Sequence, residues 1–249
     1  MHLLALLFAC ESSTTIDLKG ASASDDTAAG EDTATDSAAG DTAIDTGDGD
    51  PLPRTPATCR EVRDATPGAP DGNYTLYLGN APSRPWTAWC AAMATSPAEY
   101  LTLPENRNAS EFVTPDWNYM SVTTVYARVR LDPVTLLVDI SDATFATSSG
   151  GFTFGGGTVT SMPFGVAMSC NSTFPGDAAV DLSGTPFRVL PNAFVVAGYE
   201  ASGSATYSPS GQVVTLVGGG YCGWISPGPE MYNPINGAGT FQLPLAYID

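Results

Sequence analysis

Two cysteines, Cys59 and Cys90, enclose the stretch that most constrains how this chain can fold. Between them, Asp71-Gly72 precedes Tyr74-Thr75-Leu76-Tyr77-Leu78. Glycine adopts the backbone conformation of a tight turn without strain, and alternating bulky residues after such a turn are typical of a strand. The stretch therefore predicts a turn followed by a strand, and a bond between Cys59 and Cys90 would staple the start of a domain.

The composition of the chain favours a mainly β fold. Its 249 residues include 26 glycines and 20 prolines, and no long stretch repeats apolar residues at helical spacing. Such a composition is typical of many turns and few helices, and about 200 residues are enough for one sizeable core. We predict a single disulfide-stapled antiparallel β domain with little helix over residues 57–249.

The clearest local pattern is that of a β-hairpin. Residues 122–131 alternate with a period of two, which is the spacing of a half-buried strand. Asp132-Pro133 is a turn sequence, and residues 134–138 would return as the partner strand. The face expected to be buried consists of Val125, Ala127, Val129 and Leu131. Further strands are predicted at 145–154, 179–182, 187–196, 212–217 and 241–248, with a loop at 104–117.

Residues 1–10 resemble the leader of a bacterial lipoprotein. Leu3 to Ala9 is an apolar run, too short to span a bilayer, that ends in Leu7-Phe8-Ala9-Cys10. In a lipobox-like leader Cys10 would become the lipidated N-terminus, whereas in an ordinary secretory leader it would be a discarded or unpaired thiol. Both interpretations predict an exported protein, either anchored by lipid on the cell envelope or outer surface, or extracellular.

Residues 11–56 have the composition of a disordered linker. The segment is rich in Ser, Thr, Ala, Gly and Asp, and eleven carboxylates between Glu11 and Asp50 face a single base, Lys19. Since it has almost nothing to bury and its charges repel, we expect an extended acidic tether. A calcium loop at residues 45–50 is disfavoured because Gly47 occupies a position where a ligand is needed.

The charge and the histidine content of the chain exclude several functions. The net charge is −17 at pH 7, so the basic surface that nucleic acids or anionic membranes require is missing, and only a lipid anchor would hold the chain to a membrane. The only histidine, His2, lies in the leader. We therefore expect no Ser-His-Asp site, no histidine-ligated zinc and no cofactor, and we predict that the protein is not an enzyme.

The four cysteines of the domain are expected to form two disulfides. Four cysteines permit three pairings, and proximity in sequence favours Cys59 with Cys90 and Cys170 with Cys222. A zinc site is the competing interpretation, but it needs closely spaced pairs of the form C-x-x-C, and the chain contains none.

A series of motifs resembles the GON domain, which closes some secreted ADAMTS-type metalloproteases. The resemblance extends from Cys59 to about Asp249. The motifs, in chain order, are Cys59-Arg60-Glu61-Val62, Asp71-Gly72-Asn73-Tyr74-Thr75-Leu76-Tyr77, Trp89-Cys90-Ala91-Ala92-Met93, Glu99-Tyr100-Leu101-Thr102-Leu103, residues 123–133, Phe145-Ala146-Thr147, Pro163-Phe164-Gly165 and Gly219-Gly220-Tyr221-Cys222-Gly223. The opening also resembles, over a shorter stretch, the start of fibrinogen-like domains.

The resemblance implies a non-catalytic, extracellular, cysteine-containing module. In the proteases the zinc-bearing catalytic domain lies elsewhere in the chain, and the present sequence has no H-E-x-x-H motif. The family's metalloendopeptidase and zinc-binding labels therefore have no support in these residues. We expect a binding or interaction module whose partner is an extracellular protein or a glycan.

Aromatic residues supply the candidate ligand-binding positions. Tryptophan planes with nearby carboxylates (Glu99, Asp116 and Glu230) are suited to stacking on sugars, although tryptophans also commonly pack in the core beside disulfides. Asp139, Asp142, Asp177 and Asp181 would be calcium ligands or ordinary turn residues. The candidate ligand-binding residues are Trp86, Trp89, Trp117 and Trp224.

Two other functions remain open from the residues alone. One is a glycan-active enzyme that uses paired carboxylates, which requires a cleft with two acids at a suitable separation. The other is a structural protein of the cell envelope. A flat exposed aromatic patch would favour the binding module over both.

Overall fold

The computed structural model describes residues 55–114, 120–154, 157–228 and 242–249. The leader with Cys10, the linker up to residue 54, and Trp117 lie outside these ranges. In the described part of the chain no helix is long and apolar enough to cross a membrane. The fold there is mainly β, as the composition predicts, with one short helix.

The described elements follow one another along the chain as a helix and sixteen strands, with a 3-10 turn at Leu78–Asn80 after the first strand. They are α1 (Cys59–Ala65), β1 (Gly72–Tyr77), β2 (Pro85–Ala91), β3 (Ala98–Thr102), β4 (Ala109–Val113), β5 (Ser121–Tyr126), β6 (Arg128–Asp132), β7 (Leu137–Asp139), β8 (Ala146–Gly150), β9 (Phe152–Phe154), β10 (Gly157–Val159), β11 (Ala167–Ser169), β12 (Gly176–Asp181), β13 (Phe187–Val189), β14 (Phe194–Tyr207), β15 (Val213–Pro227) and β16 (Gln242–Tyr247).

The first sheet is antiparallel and strongly curled. Its strand order is β1-β2-β3-β6-β7-β16-β13. Although β2 and β13 lie near opposite edges of this order, the Trp86 and Phe187 rings pack edge to face with centroids 5.4 Å apart. The Tyr247 hydroxyl of β16 also donates to the carbonyl oxygen of Pro85 at 2.9 Å. The sheet therefore bends until its two edge regions meet.

The second sheet is built around the long strand β15. Its order is β11-β15-β12-β4-β5-β8, and β14 pairs with β15 outside this path. Strands β11 and β4 also pair, in the one parallel contact among the described strands, so that four strands form a ring. Strands β9 and β10 form a separate two-stranded ribbon. Buried apolar residues of both sheets belong to one continuous core.

Helix α1 was not predicted from the sequence, and it opens the domain. The hydroxyl of Thr58 accepts a hydrogen bond from the backbone N–H of Glu61 at 3.1 Å, which caps the helix. Val62 and Cys59 are its buried residues, and the Cys59–Cys90 disulfide ties it to β2. Seven residues are too few to show helical periodicity, although Thr58-x-x-Glu61 is the spacing of a helix start.

The predicted single strand over residues 122–131 is wrong. Residues 121–126 form β5 in the second sheet, residues 128–132 form β6 in the first, and the chain passes between the sheets at the exposed Ala127. Up to that point Thr124 and Tyr126 are buried, in place of the expected Val125. When the chain moves from one sheet to the other, the set of alternate residues that faces the core can change. A prediction based on a continuous period of two does not include such a change.

Beyond Ala127 the predicted hairpin is confirmed, except that its second strand is Leu137–Asp139 and residues 134–136 belong to the turn. Strand β6 pairs with β7 in antiparallel register, with Leu131 opposite Val138. Val129 and Leu131 are buried, as their alternation predicts. The connection bends at Leu136, which has a φ of 57°.

Two other predictions need correction. The predicted loop at 104–117 contains a strand, β4, which pairs with β5, β11 and β12. This strand was missed because Ser110, a polar residue, occupies a buried position where an apolar residue would have shown the alternation. The predicted strand over 187–196 is divided between β13 and β14, because Ala193 lies at a turn where the chain leaves the first sheet for the second.

Candidate binding surfaces

Two of the predicted tryptophans lie in the core. Trp86 is 3% exposed and Trp224 is 7% exposed, so neither presents a ring face for stacking on a ligand. Trp86 is on β2 of the first sheet and Trp224 on β15 of the second, so the structure does not bring them onto one surface. Their burial agrees with the alternative interpretation of the sequence, in which the tryptophans pack in the core. Trp117 lies outside the described residues.

Trp89 is half-buried and lies beneath an arginine. The Arg128 guanidinium is 4.2 Å from the Trp89 ring centroid and 4.9 Å from the Phe145 centroid. The Arg128 Nε also donates to the hydroxyl of Thr102 at 3.3 Å. Attraction between a cation and two aromatic rings holds the guanidinium in a fixed position on the outer face of the first sheet.

A second pair of polar groups lies on the same face. The Tyr100 hydroxyl donates to Asp142 Oδ2 at 2.9 Å, and its ring packs edge to face on Phe145 at 4.8 Å. Burial alone would raise the pKa of Asp142, but hydrogen bonds from Thr144 and Tyr100 outweigh it and lower that pKa. Burial, reinforced by Asp142, raises the pKa of Tyr100. The pair fixes the loop after β7 to the sheet.

Three of the four aspartates considered as calcium ligands serve as turn residues. Each accepts a hydrogen bond from the backbone N–H two residues later, the pattern of an Asx turn. These pairs are Asp139 with Ser141 at 3.0 Å, Asp142 with Thr144 at 2.9 Å and Asp181 with Ser183 at 2.8 Å. Asp177 is exposed on β12. Within the described residues no group of three or more His, Cys, Asp or Glu is placed to hold a metal ion.

The acids that line the groove beside α1 are also engaged by the backbone. Glu99 Oε1 accepts from the N–H of Cys59 at 2.7 Å, and Asp132 Oδ1 accepts from the N–H of Val134 at 2.8 Å. Both residues line a groove of about 440 Å³. Burial raises the pKa of Glu99 despite its hydrogen bond, whereas hydrogen bonds lower the pKa of Asp132. Their geometry is that of a helix cap and a turn cap.

The largest exposed aromatic side chains lie at a corner of the β14–β15 hairpin. Tyr199 is 65% exposed and Tyr221 is 62% exposed, and their rings meet edge to face with centroids 6.1 Å apart. Between the two regular parts of the hairpin the strands bend sharply, and Glu200 has a φ of 46° there. We call residues 198–201 and 220–223 the tyrosine corner.

Glycine makes the bend of the tyrosine corner possible. Gly220 has a φ of 104°, and a Cβ at this position would lie 2.0 Å from the carbonyl oxygen of Glu200. A Cβ on Gly223 would lie 2.1 Å from the carbonyl oxygen of Gly219. The backbone is therefore too close to itself for any side chain at these positions. The run of glycines before Cys222 thus builds the corner from within a strand.

A disulfide and a groove adjoin Tyr221. Cys222 of the corner is bonded to Cys170, and the other domain disulfide joins Cys59 to Cys90, which is the pairing predicted from sequence. The groove has a volume of about 390 Å³ and is lined by Tyr221, Val217, neutral polar side chains and a single charged residue, Glu200. The polar lining residues are Asn171, Ser172 and Ser202.

The sequence did not identify the tyrosine corner as a site. Tyr199 lies just beyond the predicted strand over 187–196, and Tyr221 is adjacent to a disulfide cysteine, where a buried aromatic is common. The available signal was Gly218-Gly219-Gly220-Tyr221, because glycines inside a strand mark a bend or a close backbone approach. Tyr221, which directly follows this bend, is exposed to solvent and not packed in the core.

The family comparison agrees with the motifs. A family model described as GON domain matches residues 113–234, which include the tyrosine corner and both cysteines of the Cys170–Cys222 disulfide. The resemblance drawn from the sequence is therefore confirmed over these residues. No curated protein and no solved structure shows significant similarity to the chain. A GON match together with two disulfides indicates a domain of extracellular type.

Proposed function

Since residues 113–234 match the GON domain, we propose that this protein is an exported, non-catalytic binding module that holds an extracellular glycan on its tyrosine corner. The leader resembling that of a lipoprotein and the acidic linker would tether the domain to the cell envelope through Cys10. The domain would thus collect or hold glycan at the cell surface without changing it.

The exposed Tyr199–Tyr221 pair is the observation that carries this proposal. Soluble proteins bury most large aromatic rings, and exposed clusters of them mark binding surfaces. Here the two rings are held by glycine-dependent backbone bends and by a disulfide, so they are preorganised for contact. A rigid pair of rings loses little conformational entropy when it binds a ligand.

The lining of the adjacent groove favours a neutral saccharide as the ligand. Hydroxyl and amide side chains at Asn171, Ser172 and Ser202 match the hydroxyl groups of a sugar. The ring of Tyr221 in this lining, extended by the ring of Tyr199 that it contacts, matches the C–H faces of a sugar. The only charge in this lining is that of Glu200, which would repel a sulfated or carboxylated chain. A groove of about 390 Å³ is within the range of small-ligand sites.

Glycan binding by matched variants tests the proposal. A neutral-oligosaccharide array with the full chain should identify a ligand whose affinity falls about tenfold or more in a Tyr199→Ala/Tyr221→Ala double variant. The Tyr199→Phe/Tyr221→Phe variant keeps the rings and should retain most of the affinity. Val134→Ala changes an exposed apolar residue elsewhere and serves as the control. The proposal fails if no neutral glycan binds, or if the alanine variant binds as well as the parent.

Membrane attachment is tested separately. Cys10→Ser should abolish incorporation of labelled fatty acid and release the protein from membrane fractions, because a thioether-linked lipid needs the thiol. Persistent labelling in this variant would contradict the anchor while leaving the glycan proposal unaffected.

A further inference from the structure

Arg128 has no acidic partner among the residues that the structure describes, since no carboxylate of theirs lies within ion-pair distance of its guanidinium. Its contacts are the Trp89 and Phe145 rings and the hydroxyl of Thr102. The two rings and Thr102 fix the guanidinium in position, and its other N–H groups remain as donors for a ligand.

Arg128 is joined through Thr102 to a neutral polar groove whose lining does not include Arg128 itself. Thr102, which accepts the Arg128 Nε bond, lines a groove of about 840 Å³ between the outer face of β1–β3 and the loop at 184–186. The groove contains no charged residue, in contrast to the acidic character of the chain. Its polar lining consists of Asn73, Thr75, Thr87, Thr102, Thr185 and Gln212.

Part of this lining is held rigid by the backbone. The Gln212 side chain donates to the carbonyl oxygens of Thr185 and Phe187 at 2.8 and 3.3 Å, which fixes the loop on one side of the groove. On the other side, Thr75 and Thr87 are direct cross-strand partners on β1 and β2. The groove is therefore preformed, with hydroxyl groups in a regular array.

We propose that this groove is a second binding site, specific for an acidic saccharide whose carboxylate pairs with Arg128. A guanidinium and a carboxylate match in charge and in planar geometry, and the bond is strengthened where aromatic rings exclude water from one face. The threonine hydroxyls and Asn73 provide donors and acceptors for the remaining sugar hydroxyls. Gln212, whose amide nitrogen is bonded to backbone carbonyls, provides its carbonyl oxygen as an acceptor. The neutral lining adds no repulsion against the negative ligand.

The site differs from the tyrosine corner in its charge and in its exposed rings, although both grooves also offer hydroxyl and amide groups. Arg128 and Thr102 lie on the first sheet, whereas Tyr199 and Tyr221 lie on the β14–β15 hairpin of the second. One site offers a cation and hydroxyls, and the other offers exposed rings and a carboxylate. The two sites would therefore bind different ligands, so that either proposal can fail without the other.

Calorimetric titration of the full-length Tyr199→Ala/Tyr221→Ala variant, which lacks the proposed neutral-glycan site, with a matched pair of disaccharides tests the groove. The probes are cellobiouronic acid and cellobiose, which differ only in a carboxylate, together with sodium acetate as a carboxylate without the sugar. We expect saturable binding of cellobiouronic acid and binding about tenfold or more weaker for the other two. If cellobiose binds equally well, the carboxylate is not recognised by Arg128. If acetate binds equally well, the groove recognises an anion and not a sugar. Either result overturns the proposal.

Variants distinguish recognition by Arg128 from a general effect of charge. Arg128→Gln should weaken cellobiouronic acid binding about tenfold or more, whereas Arg60→Gln makes the same charge change at an exposed residue of α1 and should leave it unchanged. Thr102→Val, which removes the Nε acceptor and one hydroxyl of the groove but keeps the guanidinium, should give a smaller loss in a folded protein. The Tyr199→Ala/Tyr221→Ala variant should bind this probe normally. Unchanged binding by Arg128→Gln would disprove the assignment.

Discussion

Phe194 and Tyr207 are the first and last residues of β14, yet their ring centroids lie only 6.4 Å apart. A regular strand of 14 residues would separate them by about 45 Å. The Tyr207 hydroxyl also accepts a hydrogen bond from the backbone N–H of Ala193 at 3.2 Å. Strand β14 therefore folds back on itself, and the tyrosine corner is the point at which it turns.

The first prediction concerns the glycine that permits this turn. Gly220→Ala should destabilise the domain by about 3 kcal/mol, because the new Cβ combines left-handed strain with a backbone collision. Gly68→Ala is the matched control: its φ is 84° but no atom lies within 4 Å of the added Cβ, so only about 1–2 kcal/mol of strain is expected. Urea unfolding of both variants measures the difference. Equal losses of stability in the two variants would contradict the prediction, because they would show that the backbone at the tyrosine corner shifts to accommodate the added Cβ.

The second prediction concerns the two disulfides. Replacing Cys170 and Cys222 by serine should lower the free energy of unfolding by about 4 kcal/mol, and replacing Cys59 and Cys90 by slightly less, because the loops span 52 and 31 residues. Denaturant titration of the two double variants provides the comparison. The Cys170/Cys222 variant should in addition lose binding at the tyrosine corner, whereas the Cys59/Cys90 variant should keep it if folded. The reverse pattern of binding would contradict the role given to Cys222.

The third prediction concerns the pH dependence of stability. Burial raises the pKa of Glu99 in the folded state above the pKa of the same residue in the unfolded chain. The stabilisation that Glu99 contributes is therefore complete at pH values below the unfolded pKa, and it is lost as the pH rises through the folded pKa. Glu99→Gln stays neutral and can still accept from the Cys59 N–H. The stability of the variant relative to the parent should therefore increase from pH ~4 upward. Urea unfolding across this range measures it, and a constant difference would refute the assignment.

The fourth prediction concerns a buried asparagine between two strands. Asn108 is fully buried, and its side chain exchanges hydrogen bonds with the backbone of Asp181, accepting at 2.7 Å and donating at 3.1 Å. Asn108→Ala should cost about 2–3 kcal/mol because it leaves a buried N–H and a buried C=O without partners. Asn73→Ala, at an exposed position of β1, should cost much less. Thermal unfolding of the two variants tests the difference, and similar losses would show that water replaces the Asn108 bonds.

Much of the fold follows from local patterns in the sequence. The turn at Asp71-Gly72, the strand after it and the β6–β7 hairpin depend on neighbouring residues, and the structure contains them. The change of sheet at Ala127 does not follow, because no local signal tells an alternating segment which sheet will cover it. Strand β4 was missed for a similar reason, because its buried Ser110 interrupts the apolar alternation. The partner that makes this serine acceptable in the core, the N–H of Val166, is distant in sequence.

The sites were harder to predict than the strands. Size and apolar character suggested that the tryptophans form a binding face, but the same properties favour burial, and Trp86 and Trp224 are buried. Arg128 gains its fixed position from Trp89 and Phe145, which are distant in sequence and meet it only in the folded sheet. Exposure of Tyr199 and Tyr221 likewise results from a backbone bend that composition does not reveal.

Strand β16 lies between β7 and β13, and this position has a kinetic consequence. Gln242 pairs with Asp139 across a separation of about 100 residues, and Leu245 pairs with Val189 on the other side. Since the entropic cost of closing so long a loop must be met before these pairs form, the first sheet should close late and slowly, on a millisecond-to-second scale. Until β16 is in place, β7 and β13 present open edges, and a partly folded chain is exposed there to pairing with a neighbouring chain.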